Sequence, residues 1–404
     1  ETGNTIKLIS FIVLIMTNVL FIVSIPLMGP LFSVLVEAHG IVIDYNYAFI
    51  SFLLIHAIGV LFAGIAVDCL CGQRILFWSY VIGVPASILL LIFACTSTLI
   101  YIAVGVSAFL SGFAPVIVAY YAFENIAVWK RGTIYGLGIG FGNLLTYLLF
   151  ELGVFSCELS LLIVSTLIIL SGVLFQKYNA LTCINKQLTI HRIRSTLSRG
   201  VASLIVCLVV FYALGGIMYS LLYPYLHEVS ATLHAYMSTV PYFFVAIAAG
   251  LLADSVGRKF IGISGFILLG LGNMMLGLIH DIGFILHVTV IAFAVIQIAY
   301  GFVDVYSMVI LIDLGSRRVR GIVYSIGVLG ILSGLFLGSI LSSIISVEEG
   351  IHRIALVLGM LLLLASIFNL LRVPETLPKE VMLRRMVLKY IREAKKVKEE
   401  KEEE

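Results

Sequence analysis

Stretches of mostly apolar residues, each about 20 or more long, recur from one end of the chain to the other with short polar interruptions between them. A helix rises 1.5 Å per residue, so about 20 such residues cross a hydrocarbon core of ~30 Å. The pattern predicts spanning helices at about 8–35, 47–68, 74–96, 98–124, 131–155, 158–177, 200–224, 233–253, 259–280, 284–312, 320–346 and 351–372. Two longer polar stretches break the rhythm. Residues 178–199 carry Lys186, His191, Arg192, Arg194 and Arg199, and residues 374–404 form a charged tail.

Composition agrees with an all-α membrane protein. Of the 404 residues 61% are hydrophobic and 12% charged, against roughly 25% charged in a soluble domain. The six cysteines, Cys69, Cys71, Cys95, Cys157, Cys183 and Cys207, make no metal or disulfide framework: Cys69-x-Cys71 has no second pair and no histidine at ligand spacing, and no bridge between Cys95 and Cys157 is expected. No cleavable signal pattern is read at the start, and the opening Glu1-Thr2-Gly3 reads as an added remnant.

Charge sets an orientation. All but Arg353 of the 25 Lys and Arg residues fall at the N-terminus, in the even-numbered loops or at the C-terminus. The opposite side carries Glu37, Asp44, Glu151, Glu158, Glu228, Asp281, Glu348 and Glu349. By the positive-inside rule both termini and the central loop are cytoplasmic, which requires an even helix count. The expected location is a cell membrane, crossed many times.

The chain also repeats itself. Gly64-x-x-x-Asp68 returns as Gly250-x-x-x-Asp254, and Arg131-Gly132-Thr133-Ile134-Tyr135 returns as Arg320-Gly321-Ile322-Val323-Tyr324. Seven residues before each Arg-Gly stands an acid, Glu124 and Asp313. Two similar six-helix halves are therefore expected, residues 1–177 and 200–373, joined by a cytoplasmic linker at 178–199 and followed by a tail helix at 374–404. Parallel halves of this kind place a binding site between them near the midplane.

Gly250-Leu251-Leu252-Ala253-Asp254-Ser255-Val256-Gly257-Arg258-Lys259 resembles the signature loop of the major facilitator superfamily. Locally, Gly250 would let two helices approach and Asp254 would accept from helix N-terminal amides or an Arg. Gly257 would make the tight turn, leaving Arg258 and Lys259 at the cytoplasmic surface. The first-half copy, Gly64 to Arg74, is degenerate, with Cys69 in place of the usual basic residue and Gly72 displaced by one position. Tyr121-x-x-Glu124 before Arg131-Gly132, Asp313 before Arg317-Arg318-Val319-Arg320-Gly321, and Pro374-Glu375-Thr376 after the last helix resemble the loops of the sugar-porter and organic-ion-transporter branches. The resemblance implies a cytoplasmic gate of Asp68, Glu124, Arg131, Asp254, Arg258, Asp313 and Arg320 that latches the halves in one state; the same charges could instead merely cap helices. Two features of related branches are missing. There is no glutamine in Gly136–Leu144 or Phe211–Tyr225, where sugar porters carry them, and no Gly-Pro pair in the fifth helix.

Polar side chains inside spans are costly and so are functional candidates. Near mid-depth these are Asn18, His56, Asn143, Gln297 and Asp304, with Gln297, Tyr300 and Asp304 on one helical face. Tyr212, Tyr219, Tyr242 and Tyr300 are the tyrosines expected to line the cavity with them. Asp304 and His56 are the candidates for proton coupling; the plainer readings are a group in the aqueous vestibule for Asp304, a packing residue for His56 and interhelical hydrogen bonds for Asn18 and Asn143. Leu383, Val387, Tyr390, Ala394 and Val397 repeat at helical spacing in the tail, which suits a solvated helix, a short coiled coil or contact with the inner leaflet. No nucleotide-binding loop or zincin motif is present.

The sequence therefore reads as a monomeric secondary transporter with no cofactor, no enzymatic activity and no nucleic-acid partner, contacting membrane lipids and moving a small organic solute by alternating access, coupled to protons through Asp304 or His56. The absence of Lys and Arg at mid-depth disfavours a multiply charged anion and favours a neutral or cationic, partly apolar solute. A sugar or polyol is the second cargo, and a non-transporting sensor or scaffold on the same fold is the rival class. The topology has a direct test: in sealed right-side-out vesicles, a Lys186→Cys variant should resist an impermeant thiol reagent until the membrane is permeabilised, and labelling from outside would reverse the orientation.

Overall fold

The structure, a computed structural model of the chain, describes residue 19 and residues 45–69, 72–94, 96–151, 156–178, 199–278, 285–315, 319–344 and 351–377. Eleven α-helices follow one another there: α1 Tyr45–Cys69, α2 Gln73–Ile92, α3 Ser97–Ser111, α4 Phe113–Asn125, α5 Val128–Thr146, α6 Cys157–Tyr178, α7 Arg199–Ser255, α8 Arg258–Leu278, α9 Ile285–Leu314, α10 Arg320–Ile344 and α11 Ile351–Arg372. They coincide with the expected spans from 47–68 onward. Apart from residue 19, the first span, 8–35, lies outside the described residues, as do the linker at 179–198, the tail beyond 377 and Cys71, Cys95 and Cys183.

Local chemistry explains several boundaries. Thr96 caps α3, its hydroxyl oxygen accepting from Leu99 N–H at 3.4 Å. A break at Gly112 divides α3 from α4, and the pair crosses as one 28-residue apolar span, Thr98–Asn125. At its far end α5 relaxes into a π-helical turn, Tyr147–Glu151, where Ser160 of α6 donates to the Leu149 carbonyl at 2.7 Å.

The expected spans 200–224 and 233–253 join as one helical run of 57 residues, α7. A straight helix of that length would separate positions 212 and 242 by about 45 Å. Yet the phenols of Tyr212 and Tyr242 both donate to the carboxylate of Asp304. The run therefore doubles back and supplies two apolar arms, Gly200–Ile217 and the shorter Thr239–Ser255.

Among the described residues nine helices are long and apolar enough to cross a membrane by composition alone. The exceptions are the short second arm of α7 and the glycine-rich α5, and these two pack against each other. A Cβ added to Gly250 of α7 would stand 2.9 Å from the Gly136 Cα of α5, closer than packed carbons come. The halves also meet where α1 lies on α10, with Ser325 donating to the Val60 carbonyl at 2.9 Å. One core cluster runs through all of this, from Phe52 and Val60 on α1 to Tyr306 on α9 and Leu362 on α11.

A single methyl group tests the α5–α7 contact. Gly250→Ala should lower the thermal midpoint in detergent by an amount corresponding to about 1–3 kcal/mol of overpacking. Gly105→Ala is the control, since only Ile55 Cδ1, at 3.8 Å, would meet its new Cβ. Equal midpoints for the two variants would refute the close approach.

Candidate functional site

Two constellations stand out, one at the ends of the helices that carry the basic residues and one about two-thirds of the way along α9. At the basic end, each half of the repeated sequence reaches into the other. Asp254, at the end of α7, accepts from the backbone N–H of Gly132 at 2.9 Å and of Thr133 at 2.7 Å, and from the Thr133 hydroxyl at 2.7 Å. Asp68, at the end of α1, accepts from Ile322 N–H at 2.9 Å in the first turn of α10. Gly132-Thr133 and Gly321-Ile322 are the repeated pair, so each acid sits at the positive end of the opposite half's helix, where a carboxylate is favoured.

The arginines are exchanged in the same way. Arg131 pairs with Asp313 at 2.5 Å and Arg320 with Glu124 at 2.8 Å, so each Arg-Gly motif takes the acid that precedes the other one. The guanidinium groups of both arginines lie over the ring of Phe123. Arg258 reaches Asp313 at 3.2 Å and Asp254 at 3.3 Å. It also donates to the Val128 carbonyl of α5 at 2.5 Å and to the Ala253 carbonyl. Asp68, Arg131, Asp254, Arg258 and Arg320 are each at most 4% exposed. Such charges are tolerated because nearly every donor has an acceptor and the pairs are close; removing one partner of a buried pair typically costs about 3–5 kcal/mol.

Two sequence expectations change here. Arg258 does not stay at the surface: it is fully buried, because it alone joins Asp313, Asp254 and α5. The degenerate loop of the first half finds its own solution. Gln73 occupies the place of Arg258, and its amide donates to the Val67 carbonyl at 3.1 Å, as Arg258 donates to the Ala253 carbonyl. An uncharged amide reproduces the backbone contact but not the ion pairs.

The exit segment has a physical role that its motif did not disclose. Glu375 accepts from the N–H groups of Arg258 at 3.1 Å and Lys259 at 2.9 Å, which open α8. Thr376 donates to Asp313 at 3.1 Å. The turn before α8 is made by Gly257 at φ 138°, a conformation that side chains disfavour.

The second constellation lies within the C-terminal half. Asp304 of α9 is half-buried, and its two carboxylate oxygens accept from two phenols, Tyr212 on the first arm of α7 and Tyr242 on the second, the latter at 2.5 Å. Ser307 donates to the Asp304 carbonyl at 3.0 Å. Phe211 stands edge-on to both Tyr212 and Tyr300, with ring centroids 5.2 and 5.4 Å apart, and closes an aromatic wall beside the carboxylate. Gln297 is half-buried on the same helix.

The other expected residues lie elsewhere. His56 is buried between α1 and α3, with Nδ1 2.9 Å from the Ser111 hydroxyl and its ring stacked on Phe52, in the opposite half from Asp304. Asn143 is half-buried on α5. Asn18 and the side chain of Tyr219 lie outside the described residues. What sequence reasoning missed is the pair of phenols on Asp304, the capping by Glu375, and the parts of Thr133, Gln73 and Phe123. Thr133 and Gln73 were findable, since each stands at a repeat position where the two copies differ.

Comparisons with known proteins agree with this architecture. Residues 201–398 match the family model described as Major Facilitator Superfamily. No curated protein sequence matches the chain. Among solved structures, the human organic anion transporter MFSD10 (TETRAN) superposes with a TM-score of 0.65 at 12% identity, covering 91% of this chain and all (100%) of that one. The proton:xylose symporter XylE bound to 6-bromo-6-deoxy-D-glucose superposes with a TM-score of 0.69 at 15% identity, covering 92% of this chain and 97% of that one. A bacterial homologue of the iron transporter ferroportin, in its outward-facing state, gives 0.69 at 13% identity, covering 90% and 99%. The second part of the chain, residues 201–398, thus resembles the Major Facilitator Superfamily, and the fold is shared with these solved transporters.

Proposed function

We propose that the chain is a secondary transporter that moves a small neutral or cationic, partly apolar organic solute by alternating access, with Asp304 as the group that couples transport to protons. The observation that carries this reading is the Asp304 carboxylate, held between two phenols from two arms of α7 about 15 Å of helix from the basic end of α9. A carboxylate there attracts a cation or takes up a proton, and the surrounding rings suit an apolar portion of the solute. The three structural relatives carry cargoes of different chemistry, so the fold does not choose among them and the argument rests on the site.

The same helices connect the site to the seam. α9 carries Asp304 and, nine residues on, Asp313; α7 carries Tyr242 and, twelve residues on, Asp254. In this reading the basic end is the cytoplasmic side, the buried ion pairs hold it closed, and loading at Asp304 changes the packing of two helices that end in the latch. A sugar remains the second cargo, favoured by the hydrogen-bonding phenols on Asp304 and by Gln297 on the same helix. A sensor on the same fold would bind without moving its ligand.

Two measurements separate these readings. Arg320→Ala removes ion pairing made in the closed state only, and charge-assisted bonds contribute about 1.5–3 kcal/mol each. Turnover in liposomes should therefore fall by roughly tenfold or more while solute Kd changes little; outright loss of binding by a folded, cycling variant would refute the latch.

Asp304→Asn should abolish accumulation driven by a pH gradient and spare solute exchange, whereas His56→Gln should retain both. Wild-type accumulation by Asp304→Asn would transfer the proton role to His56 or make the protein a uniporter. If wild-type protein binds solutes in a thermal-shift panel yet moves none in liposomes, the sensor reading replaces transport.

A further inference from the structure

Outside both constellations, the outer face of α2 carries a groove of about 690 Å³ that neither gate nor cavity uses. It is built as a ladder of helical rungs four residues apart. Arg74 and Ile75 form the first, Trp78 and Ser79 the second, Ile82 and Gly83 the third, and Leu110 of α3 closes the far side. Polarity falls from rung to rung. A guanidinium comes first, then an indole beside a hydroxyl, then aliphatic carbon. The nine helical rises from Arg74 to Gly83 cover about 13 Å, close to the hydrocarbon depth of one leaflet, ~15 Å.

We propose that this groove binds one phospholipid with a net negative headgroup, its phosphate on Arg74, its glycerol esters beside Trp78 and Ser79, and an acyl chain along Ile82, Gly83 and Leu110. The order of chemistry along the groove matches the order along the lipid. Arg74 has no ion pair among the described residues, so its charge is available to a ligand. None of the lining residues is acidic, so nothing in the groove would receive the ammonium of a zwitterionic headgroup. Trp78 stands at the depth where indoles sit at membrane interfaces, and Ile75 and Ile82, 75% and 62% exposed, offer apolar surface to a chain. The site is independent of Asp304 and of the ion pairs at the seam.

Trp78 is its own reporter, because the chain has two tryptophans, Trp78 and Trp129. In a Trp129→Phe background, the full-length protein in mixed micelles is titrated with phosphatidylglycerol or phosphatidylcholine brominated on the acyl chain, and Trp78 fluorescence quenching is followed. Phosphatidylglycerol should quench with an apparent affinity about fivefold higher, the contribution of one basic residue at an anionic surface. Arg74→Gln should erase that preference, while Lys130→Gln, at an exposed position of the same end, should preserve it. Equal quenching by the two lipids, or a preference that survives Arg74→Gln, would overturn the proposal. So would quenching by neither lipid, which would mean that another surface, such as a second copy of the chain, covers the groove.

Discussion

Carboxylates placed on backbone amides in the first two turns of helices from the opposite half are the interaction on which the rest of this structure depends. Asp254 takes two backbone N–H groups and the hydroxyl of Thr133 from α5, and Asp68 takes Ile322 N–H from α10. A helix start exposes unpaired donors and a partial positive charge; a buried acid needs donors and a counter-charge. Each answers the need of the other, and because the two belong to different halves the arrangement holds the halves together. The glycines in Arg131-Gly132 and Arg320-Gly321 are part of the same device, since the acid must reach the backbone itself. Once the acids are seated, Arg131 and Arg320 are carried to Asp313 and Glu124 across the seam.

The two ends of α9 and α7 then acquire different duties. Near the seam their acids are locked by amides and guanidinium groups, which cannot give up protons near neutral pH. Further into the helix, the Asp304 carboxylate meets two phenols among the contacts described, and these donate hydrogen bonds without neutralising charge. A carboxylate matched by cations is a fixed structural element. One matched by neutral donors keeps a charge that its partners do not cancel. One helix thus carries both kinds of acid, nine positions apart.

Much of the fold was legible because a membrane leaves the chain few choices. Backbone groups in hydrocarbon must pair within their own helix, so apolar length translates directly into spans, and the described helices begin and end within a few residues of those read from the pattern, up to the reversal in α7. The repeat is equally informative: two acids, two Arg-Gly pairs and two preceding acids indicate a seam from the sequence alone. The exchange of partners was not legible. Periodicity shows that Glu124 and Asp313 precede the arginines by the same interval, yet only tertiary structure reveals that each arginine takes the more distant acid. The surface position expected for Arg258 failed for a related reason. A charge at a helix end normally faces water, and the acids that draw it inward lie on other helices. Tyr212 and Tyr242 were chosen among 19 tyrosines as cavity residues, but their meeting at one carboxylate depends on a reversal in α7 that no local pattern marks.

The departure from symmetry at Gln73 shows how much of the seam the duplicated pattern requires. Of the seven charges read from the sequence, three are arginines and four are acids, so the set is one positive charge short. The place where symmetry would put a fourth cation is held by Gln73, whose amide keeps the Val67 carbonyl satisfied but supplies no charge. On the other side, Arg258 touches two acids and α5, and Glu375 and Thr376 strap α8 and Asp313 from beyond the last helix. Asp68 accepts from the α10 amide, and a carboxylate at a helix start is stabilised by about 0.3–1 kcal/mol when exposed and up to ~2 kcal/mol when partly buried. An ion pair at this depth is stronger than that once formed, but it costs more to desolvate. The two seams thus hold by different balances of the same forces. The α5–α7 side rests on matched charges and a strap, and the α1–α10 side on a helix end, the Glu124–Arg320 pair and close packing around Ser325. Substitutions that move charge will be felt most on the first, and those that change side-chain volume most on the second.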